Sequence, residues 1–396
     1  RRLWRAVRTE PQEALEETLR DFLPPNIFYN QLVERGFDFF TGVPDSLLKD
    51  FCGYVSDNAP ATKHIIAANE GTAVAIASGY HMATRKFPVV YLQNSGLGNV
   101  INPLLSLVDP RVYKIPMLFL IGWRGEPGRR DEPQHMVQGA VMNGILTDCG
   151  VNYEVLADYE EGSAIALDSA LHHLRTRGSP YAFLVKRQCF LKYKILNEVK
   201  SDFPVTREQA LVLTSNSIGR FDPVVASTGF ISRELYEIRE AQGIYHGQDF
   251  YSVGSMGHAS SIAMGIALAK PSRNVYCLDG DGALIMHMGA ITQIGSRDLP
   301  NFKHILYNNM AHDSVGGQPT AGEGVDFAAM ARASGYKHVE SATTEAEIVA
   351  ALENIKKAHG PAFLEIKVRR ATRKDLGRPK GQPRENKEKF MSFLEQ

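Results

Sequence analysis

The fold is decided by Gly280-Asp281-Gly282, which follows the largely apolar run Asn274-Val275-Tyr276-Cys277-Leu278 and precedes the pair Asn308-Asn309 by 25 residues. A short apolar run of this kind is typical of a buried parallel strand. The two glycines permit a tight turn and a close backbone approach. Residues from Ala283 to Ile294 then carry apolar side chains at helical spacing, and a second apolar run, His304–Tyr307, ends at the Asn pair. The sequence therefore predicts a strand–helix–strand unit.

Such a unit brings both strand ends to the same edge of a parallel sheet. Asp281 and an asparagine of the pair can therefore meet there, beside the start of a helix. Helix starts attract phosphate through their free N–H groups and the helix dipole. Mg²⁺ takes oxygen ligands and commonly bridges a carboxylate to phosphate oxygens. The segment predicts a cradle for a divalent metal and a diphosphate.

The composition is that of an ordinary globular protein long enough for two domains: 396 residues, 44% apolar and 22% charged. The formal net charge is zero, so no overall field favours nucleic acid or an anionic membrane. No apolar stretch approaches the roughly 18 residues of a membrane span. The four scattered cysteines lack metal-ligand spacing and favour thiols in a reducing compartment, so we expect a cytoplasmic protein.

Residues 1–25 are expected to form a disordered leader outside the folded domains. Its start, Arg1-Arg2-Leu3-Trp4-Arg5-Ala6-Val7-Arg8, contains four arginines and no acid. This composition leaves open the remnant of an organelle transit peptide.

Strand-like runs alternate with helix-like stretches along the chain, which indicates an α/β protein. We expect two doubly wound parallel-sheet domains without a middle domain, at residues 26–198 and 199–396, the second ending in a basic C-terminal arm that begins at Arg369. The predicted strands are Phe37–Val43, His64–Ala67, Pro88–Gln93, Pro116–Trp123, Tyr181–Val185, Pro223–Thr228, Phe250–Val253, Asn274–Leu278, His304–Asn308 and Ala362–Val368.

Glu70 marks a second candidate part of the site. It follows the predicted strand His64–Ala67 and begins a helix that we expect to run to about Arg85. An acidic residue in the first turn of a helix is often only a favourable partner of the helix dipole. The small neighbours Gly71-Thr72-Ala73 nevertheless leave room for a ligand against this carboxylate.

The segment from Gly280 to Asn309 resembles the cofactor motif of the thiamine-diphosphate-dependent decarboxylase family. The resemblance implies the thiamine-diphosphate-binding fold, with residues 26–198 as the pyrimidine-binding domain and residues 199–396 as the diphosphate-binding domain. It also implies thiamine diphosphate and Mg²⁺ as cofactors, with Asp281, Asn309 and the carbonyl of Ala311 as metal ligands. Glu70 matches the carboxylate that hydrogen-bonds the cofactor's pyrimidine ring. The other implied cofactor contacts are Thr228, Gly229, Gly254, Ser255, Met256, Gly280, Gly282 and Ala283.

The chain has no room for the middle domain that most members of this family carry. The compact members include the phosphonopyruvate and sulfopyruvate decarboxylases, and the local segments are more similar to the former over nearly all of residues 26–396. Those segments are Thr41–Ser46, Gln93–Asn99, Ile121–Gly128, Asp131–His135 and Asn309–Thr320. The resemblance implies decarboxylation of 3-phosphonopyruvate to phosphonoacetaldehyde and CO₂. Three alternatives stay open: sulfopyruvate decarboxylation, another 2-oxoacid decarboxylase or carboligase, and a non-catalytic thiamine-binding protein.

The partners implied are a small anionic 2-oxoacid and further copies of the chain, in a homo-oligomer whose sites are shared between subunits. Arg124 is our first candidate for the phosphonate, because it directly follows a strand end and guanidinium groups bind such oxygens in pairs. The full set of substrate candidates is Arg124, Asn94, Ser95 and His135. The catalytic candidates besides Glu70 are Asp45, His258 and His312, since each could donate a proton.

Overall fold

A computed structural model describes residues 22–197 and 200–396. Residues 1–21, and with them the arginine-rich start of the expected leader, lie outside the described residues. Leu23 was expected in the leader, but its side chain is fully buried and its backbone N–H donates to the carbonyl of Cys189. Packed structure therefore begins before residue 26.

The first sheet contains six parallel strands in the order β2-β1-β3-β4-β6-β5. Apolar clusters on both of its faces hold alternate residues of the same strand, such as Val89 and Tyr91 on one face and Val90 and Leu92 on the other. The strands are Phe40–Gly42 (β1), His64–Ile66 (β2), Val89–Gln93 (β3), Leu118–Gly122 (β4), Asn152–Val155 (β5) and Tyr181–Val185 (β6). The helices are Pro25–Glu34 (α1), Lys49–Asn58 (α2), Glu70–Thr84 (α3), Leu97–Pro103 (α4), Pro133–Asp148 (α5) and Glu160–Arg177 (α6).

The second sheet has six parallel strands in the order β11-β12-β10-β9-β7-β8, again between two apolar clusters. Its strands are Val224–Ala226 (β7), Asp249–Tyr251 (β8), Val275–Gly280 (β9), Phe302–Asn308 (β10), His338–Ala342 (β11) and Ala362–Lys367 (β12). Its helices are Arg207–Ser217 (α7), Phe230–Gln242 (α8), Ala259–Ala269 (α9), Asp281–Met286 (α10), Ala290–Gly295 (α11), Phe327–Ser334 (α12), Glu345–Lys357 (α13) and Pro383–Leu394 (α14). The predicted α/β class with two doubly wound parallel sheets is confirmed.

Every predicted strand overlaps a strand of the structure, but β5 and β11 were missed. Both lie at the edge of their sheet, and most of their side chains are partly or fully exposed. An edge strand of this kind lacks the continuous apolar run that identifies a central parallel strand.

The single helix predicted over residues 283–294 is wrong in detail. The structure has two short helices there, α10 and α11, separated by His287-Met288-Gly289. His287, the residue after α10, has a non-helical backbone (φ −133°, ψ 43°). α10 starts directly at Asp281, so the Gly-Asp-Gly segment and the helix start coincide as expected.

In the described part of the chain, no helix combines the length and the apolar character needed to cross a bilayer.

Candidate active site

The two halves of the chain meet at a cavity of about 610 Å³. Glu70 and Ser95 line it from the first half, and Met256, Asp281 and Asn309 line it from the second. The resemblance led us to expect that the two halves of a site come from different subunits. In this structure both halves come from the same chain.

Glu70 is the first residue of α3, and its side chain is buried. Its Oε2 accepts a hydrogen bond of 2.7 Å from Asn99 Nδ2. Its other oxygen, Oε1, lies over Gly96, where a β-carbon would come within 2.4 Å of it. Burial raises the pKa of the Glu70 carboxyl, and the Asn99 hydrogen bond opposes this rise. The residue can therefore hold a proton closer to neutral pH than an exposed glutamate can.

Asn69 fixes the start of the Glu70 helix in two ways. Its Oδ1 accepts from the backbone N–H of Thr72, which caps α3. Its Nδ2 donates to the carbonyl of Met286 at the end of α10, at 3.1 Å. One side chain therefore links the helix that carries Glu70 to the helix that begins at Asp281.

Asp281 is buried at the start of α10. Its Oδ2 accepts from the hydroxyl of Thr320, and its carboxylate also accepts from the backbone N–H of Asn309. Burial raises the pKa of Asp281 to about 6. The end of β9 and the residue after β10 therefore meet, as the strand–helix–strand pattern predicts.

The two asparagines of the pair face different surroundings. Asn308 Nδ2 donates to Glu365 Oε1 and to the carbonyl of Gly322, so its amide is used within the protein interior. Asn309 lines the cavity, and its Nδ2 donates to Asp313 Oδ2 at 2.8 Å. The cavity position favours Asn309 over Asn308 as the residue that faces a ligand, and Ala311 lines the same wall.

Two turns with a left-handed backbone line the wall of the second half. Gly229, after β7, has φ 93°, and Ser255, after β8, has φ 52°. Thr228, Gly229, Gly254, Ser255 and Met256 all line the cavity, as do Gly280, Gly282 and Ala283. A β-carbon on Gly282 would come within 3.0 Å of the His312 ring, so a side chain at this position would require the ring to move. A carboxylate, an amide oxygen and a carbonyl beside glycine-lined turns fit a magnesium diphosphate.

Arg124 lines the cavity, but its guanidinium is already bound. Its Nε and Nη2 bind both carboxylate oxygens of Asp131, at 2.8 and 2.5 Å, and its Nη1 donates to Ser46 Oγ at 2.9 Å. The Arg124 guanidinium holds the pKa of Asp131 well below its usual range, despite burial. The positive charge of Arg124 is therefore compensated before any substrate enters.

Two predicted site residues do not reach the cavity. Asp45 is fully buried, and its oxygens accept from Gln93 Nε2 and from the N–H of Leu47. Asn94 is also buried; its Nδ2 donates to the carbonyl of Arg124, and its Oδ1 accepts from the backbone N–H of Arg124. Both side chains lie outside the cavity and stabilise the loops that line it.

The predicted histidines divide by environment. His135 and His312 line the cavity, and burial lowers the pKa of each to about 4, so both are neutral at neutral pH. His135 Nδ1 is buried without a hydrogen-bond partner among the described residues. His258 lines the cavity too, but it is exposed and packs against His287. Among the described residues, His135 is therefore the one of these three histidines with a buried ring nitrogen that lacks a hydrogen-bond partner.

Comparison with known proteins accounts for this arrangement. Residues 26–145 match the N-terminal TPP binding domain of thiamine pyrophosphate enzymes, and residues 227–366 match their C-terminal TPP binding domain. The phosphonopyruvate decarboxylase of Streptomyces viridochromogenes is 33% identical over 379 residues, which cover 92% of this chain and 93% of that protein. The chain belongs to the phosphonopyruvate decarboxylase family.

Within this family the phosphonopyruvate decarboxylase of Streptomyces hygroscopicus is 32% identical over 377 residues, which cover 91% of this chain and 92% of that protein. The sulfopyruvate decarboxylase of Methanosarcina acetivorans is 26% identical over 355 residues, or 84% of this chain and 88% of that protein. The two matched TPP binding domains make thiamine diphosphate the cofactor of the chain.

Some residues of this family site were missed by sequence reasoning. Asn99, Thr320 and Ser46 each donate a hydrogen bond to, or accept one from, a predicted residue. Asn99 and Ser46 lie in segments that resemble the family, but nothing in their spacing assigned them a partner. Thr320 lies 39 residues from Asp281 along the chain, and only the fold brings it close.

Proposed function

We propose that the chain decarboxylates 3-phosphonopyruvate to phosphonoacetaldehyde and CO₂ with thiamine diphosphate and Mg²⁺. The observation that carries the proposal is the placement of Glu70 and the Asp281–Asn309 pair on opposite walls of one cavity. The full-length similarity to two phosphonopyruvate decarboxylases supports the choice of substrate.

Asp281, Asn309 and the carbonyl of Ala311 would hold Mg²⁺, and the turns at Gly229 and Gly254–Met256 would hold the cofactor. When bound, thiamine diphosphate supplies the nucleophilic carbon and takes up the electrons left as CO₂ departs. Glu70 would hold or release a proton against the cofactor's pyrimidine ring, and its Oε1 lies over Gly96. Asn99 holds the other oxygen, so the carboxylate keeps one orientation while the proton moves.

Substrate contacts are proposed at Ser95 and His135, which line the cavity on the side of the first half. His135 is neutral at neutral pH and has a buried ring nitrogen without a partner, so it can donate to or accept from the substrate. Arg124 and Asn94 act on this wall mainly by fixing it, because both are bonded within the protein. His312 and His258 remain candidates for proton donation from the opposite wall, whereas Asp45 supports the loop that carries Ser46.

The phosphonate dianion needs positive charge that is not already compensated. Arg378, Lys380 and Lys389 of the C-terminal segment line the same cavity. Arg378 Nη1 lies 3.0 Å from Glu132 of the first half, whereas no acidic partner is found for the two lysines among the described residues. We therefore assign the attraction of the anionic substrate to this basic segment rather than to Arg124.

The test is CO₂ release from phosphonopyruvate, sulfopyruvate and pyruvate in parallel, with thiamine diphosphate and Mg²⁺ present or omitted. We expect cofactor-dependent release that is fastest with phosphonopyruvate. Fastest release with sulfopyruvate would make sulfopyruvate the substrate and leave the proposed type of reaction, decarboxylation, unchanged. No release from any of the three, with the cofactor bound, would overturn the decarboxylase proposal.

The enzyme is proposed to be a homo-oligomer in which the contacts between the two halves form between subunits. Those contacts include Asn69 to Met286 and Arg378 to Glu132, and they can form within a chain, as here, or between chains. Mixing the inactive variants Glu70→Gln and Asp281→Asn distinguishes the two. If the sites are shared between subunits, the mixture regains activity, because one of the two sites in each mixed dimer then contains neither substitution. If each site forms within one chain, the mixture stays inactive, because every site contains one substitution.

A cytoplasmic location is also proposed. Cys52, Cys149 and Cys277 carry free thiols, as expected of a protein in a reducing compartment.

A further inference from the structure

The amide of Asn309 has two chemically different ends, and only its oxygen can bind a cation. In the structure the nitrogen end, Nδ2, donates to Asp313 Oδ2 at 2.8 Å. An ionised carboxylate accepts hydrogen bonds and donates none, so it selects the nitrogen end of the amide. The opposite end, Asn309 Oδ1, accepts from the backbone N–H of Ala311 at a longer 3.3 Å and keeps a second lone pair for a metal.

Asp313 is itself held in place by two cations. Arg370 Nε lies 2.7 Å from Oδ1, and Arg207 Nη1 lies 3.2 Å from Oδ2. Arg207 is in turn fixed by Glu234, which binds its Nε and Nη2 at 2.9 and 2.8 Å. The Asp313 side chain is only 7% exposed. The carboxylate is therefore held from two sides and has little freedom to move.

The loop around Asp313 is shaped to keep these contacts. Gly316 and Gly317 follow it with φ of 130° and 82°, a backbone that glycine adopts without strain. A β-carbon at Gly317 would overlap Arg370 Nη2. The loop can therefore return close enough for Arg370 to reach Asp313.

We propose that Asp313 is a positioning residue that sets the orientation of the Asn309 amide and thereby the affinity of the site for divalent metal. The inference rests on the proposed role of Asn309 as a metal ligand. Without Asp313 the amide keeps the longer 3.3 Å bond from Ala311, and it can more readily turn its nitrogen toward the metal, which places partially positive hydrogens against a cation. Partners that orient metal ligands in this way typically change metal affinity 10–100-fold.

The experiment measures Mn²⁺ binding to the full chain in the presence of thiamine diphosphate, through the electron paramagnetic resonance signal of free Mn²⁺. We expect Asp313→Ala to raise the Kd for Mn²⁺ by about 100-fold. Asp313→Asn keeps an acceptor but can present either end to Asn309, so we expect about a 10-fold rise. If the alanine variant does not fold, the asparagine variant carries the test.

One control variant separates positioning from general stability. Asp326→Ala removes a carboxylate whose Oδ1 caps α12. It should lower Tm and leave the Kd for Mn²⁺ within about threefold of wild type, below the 10-fold that loss of an orienting partner typically costs. The inference is overturned if the Asp313 variants lose Tm but bind Mn²⁺ like this control.

The outcome is independent of the substrate. Weaker Mn²⁺ binding by the Asp313 variants supports the inference even if none of the three oxoacids releases CO₂. Unchanged Mn²⁺ binding by Asn309→Ala would also overturn the inference, because Asn309 would then not be a metal ligand.

Discussion

Glu70 and Asp281 are both buried carboxylates at the first residue of a helix, but their surroundings differ in kind. Within the described part of the chain, Glu70 has one side-chain hydrogen-bond partner, the neutral amide of Asn99, and its other oxygen lies over Gly96. Asp281 lies beside a dense set of fixed groups that includes Thr320 and the Asn309–Asp313 pair. This difference fits the roles proposed for them, because proton exchange by Glu70 requires few fixed partners and metal binding by Asp281 requires immobile neighbours.

The largest expected effect is at the sparsely held carboxylate. Glu70→Gln should lower kcat about 10³-fold, because the amide can still accept from Asn99 but can no longer exchange a proton. Thiamine diphosphate binding, followed by quenching of intrinsic fluorescence, should stay within about threefold of wild type, since loss of proton exchange should not alter ground-state binding. Glu160→Gln is the matched control, because Glu160 is an exposed first-turn glutamate of α6. Equal losses of kcat in Glu70→Gln and Glu160→Gln would contradict a specific role of Glu70 in proton exchange.

The next effect concerns the ion-pair network around Asp313. Arg207→Met leaves Glu234 and part of Asp313 without a cation inside the protein, so we expect a loss of about 3–5 kcal/mol in the free energy of unfolding by urea. The double variant Arg207→Met/Glu234→Leu should recover much of the lost stability, because it also removes the buried carboxylate that Arg207→Met leaves without a partner. Arg373→Met, at a more exposed ion pair, should change stability by less than about 1 kcal/mol. Equal costs for Arg207 and Arg373 would argue against an organised network.

The smallest effect is a pH dependence that arises in the first half. His64, in β2, hydrogen-bonds Tyr91, and burial lowers its pKa to about 4. The unfolded chain therefore binds more protons than the folded one between about pH 4 and 6.5, and stability falls as the pH is lowered through this window. At pH 5 the His64 contribution amounts to about 2 kcal/mol lost relative to neutral pH.

Urea unfolding at pH 7 and pH 5 checks this value. The His64→Gln variant should lose about 2 kcal/mol less than wild type between the two pH values. His359→Gln, at an exposed histidine, should follow the wild-type curve. Parallel curves for wild type and His64→Gln would show that the acid response lies elsewhere.

The central strands of both sheets could be predicted because burial on both faces leaves a continuous apolar run in the sequence. The edge strands β5 and β11 could not, since their exposed side chains resemble those of loops. The break between α10 and α11 was also missed, because apolar spacing continues across it and only the backbone at His287 departs from a helix.

The site shows the same division between local and distant signals. The position of Glu70, Asp281 and Asn309 at the cavity could be predicted because each lies just beyond the end of a strand, beside a turn or a helix start. Asp45 and Arg124 adjoin similar turns, yet their side chains are bonded within the wall, and no sequence pattern tells which way a side chain faces. The hydrogen bond from Thr320 to Asp281 depends on how the loop after β10 folds back, which no local pattern encodes.

The contact from Asn69 to Met286 also has a consequence for the order in which the molecule is assembled. The cap on the Glu70 helix forms from residues three apart, so it is available as soon as this helix forms. The bond to Met286 joins residues 217 positions apart and requires that the two halves have already docked. Helix formation is complete within microseconds, whereas docking of domains takes milliseconds to minutes. A refolding chain should therefore regain its helical signal well before it regains a cavity that can bind the cofactor.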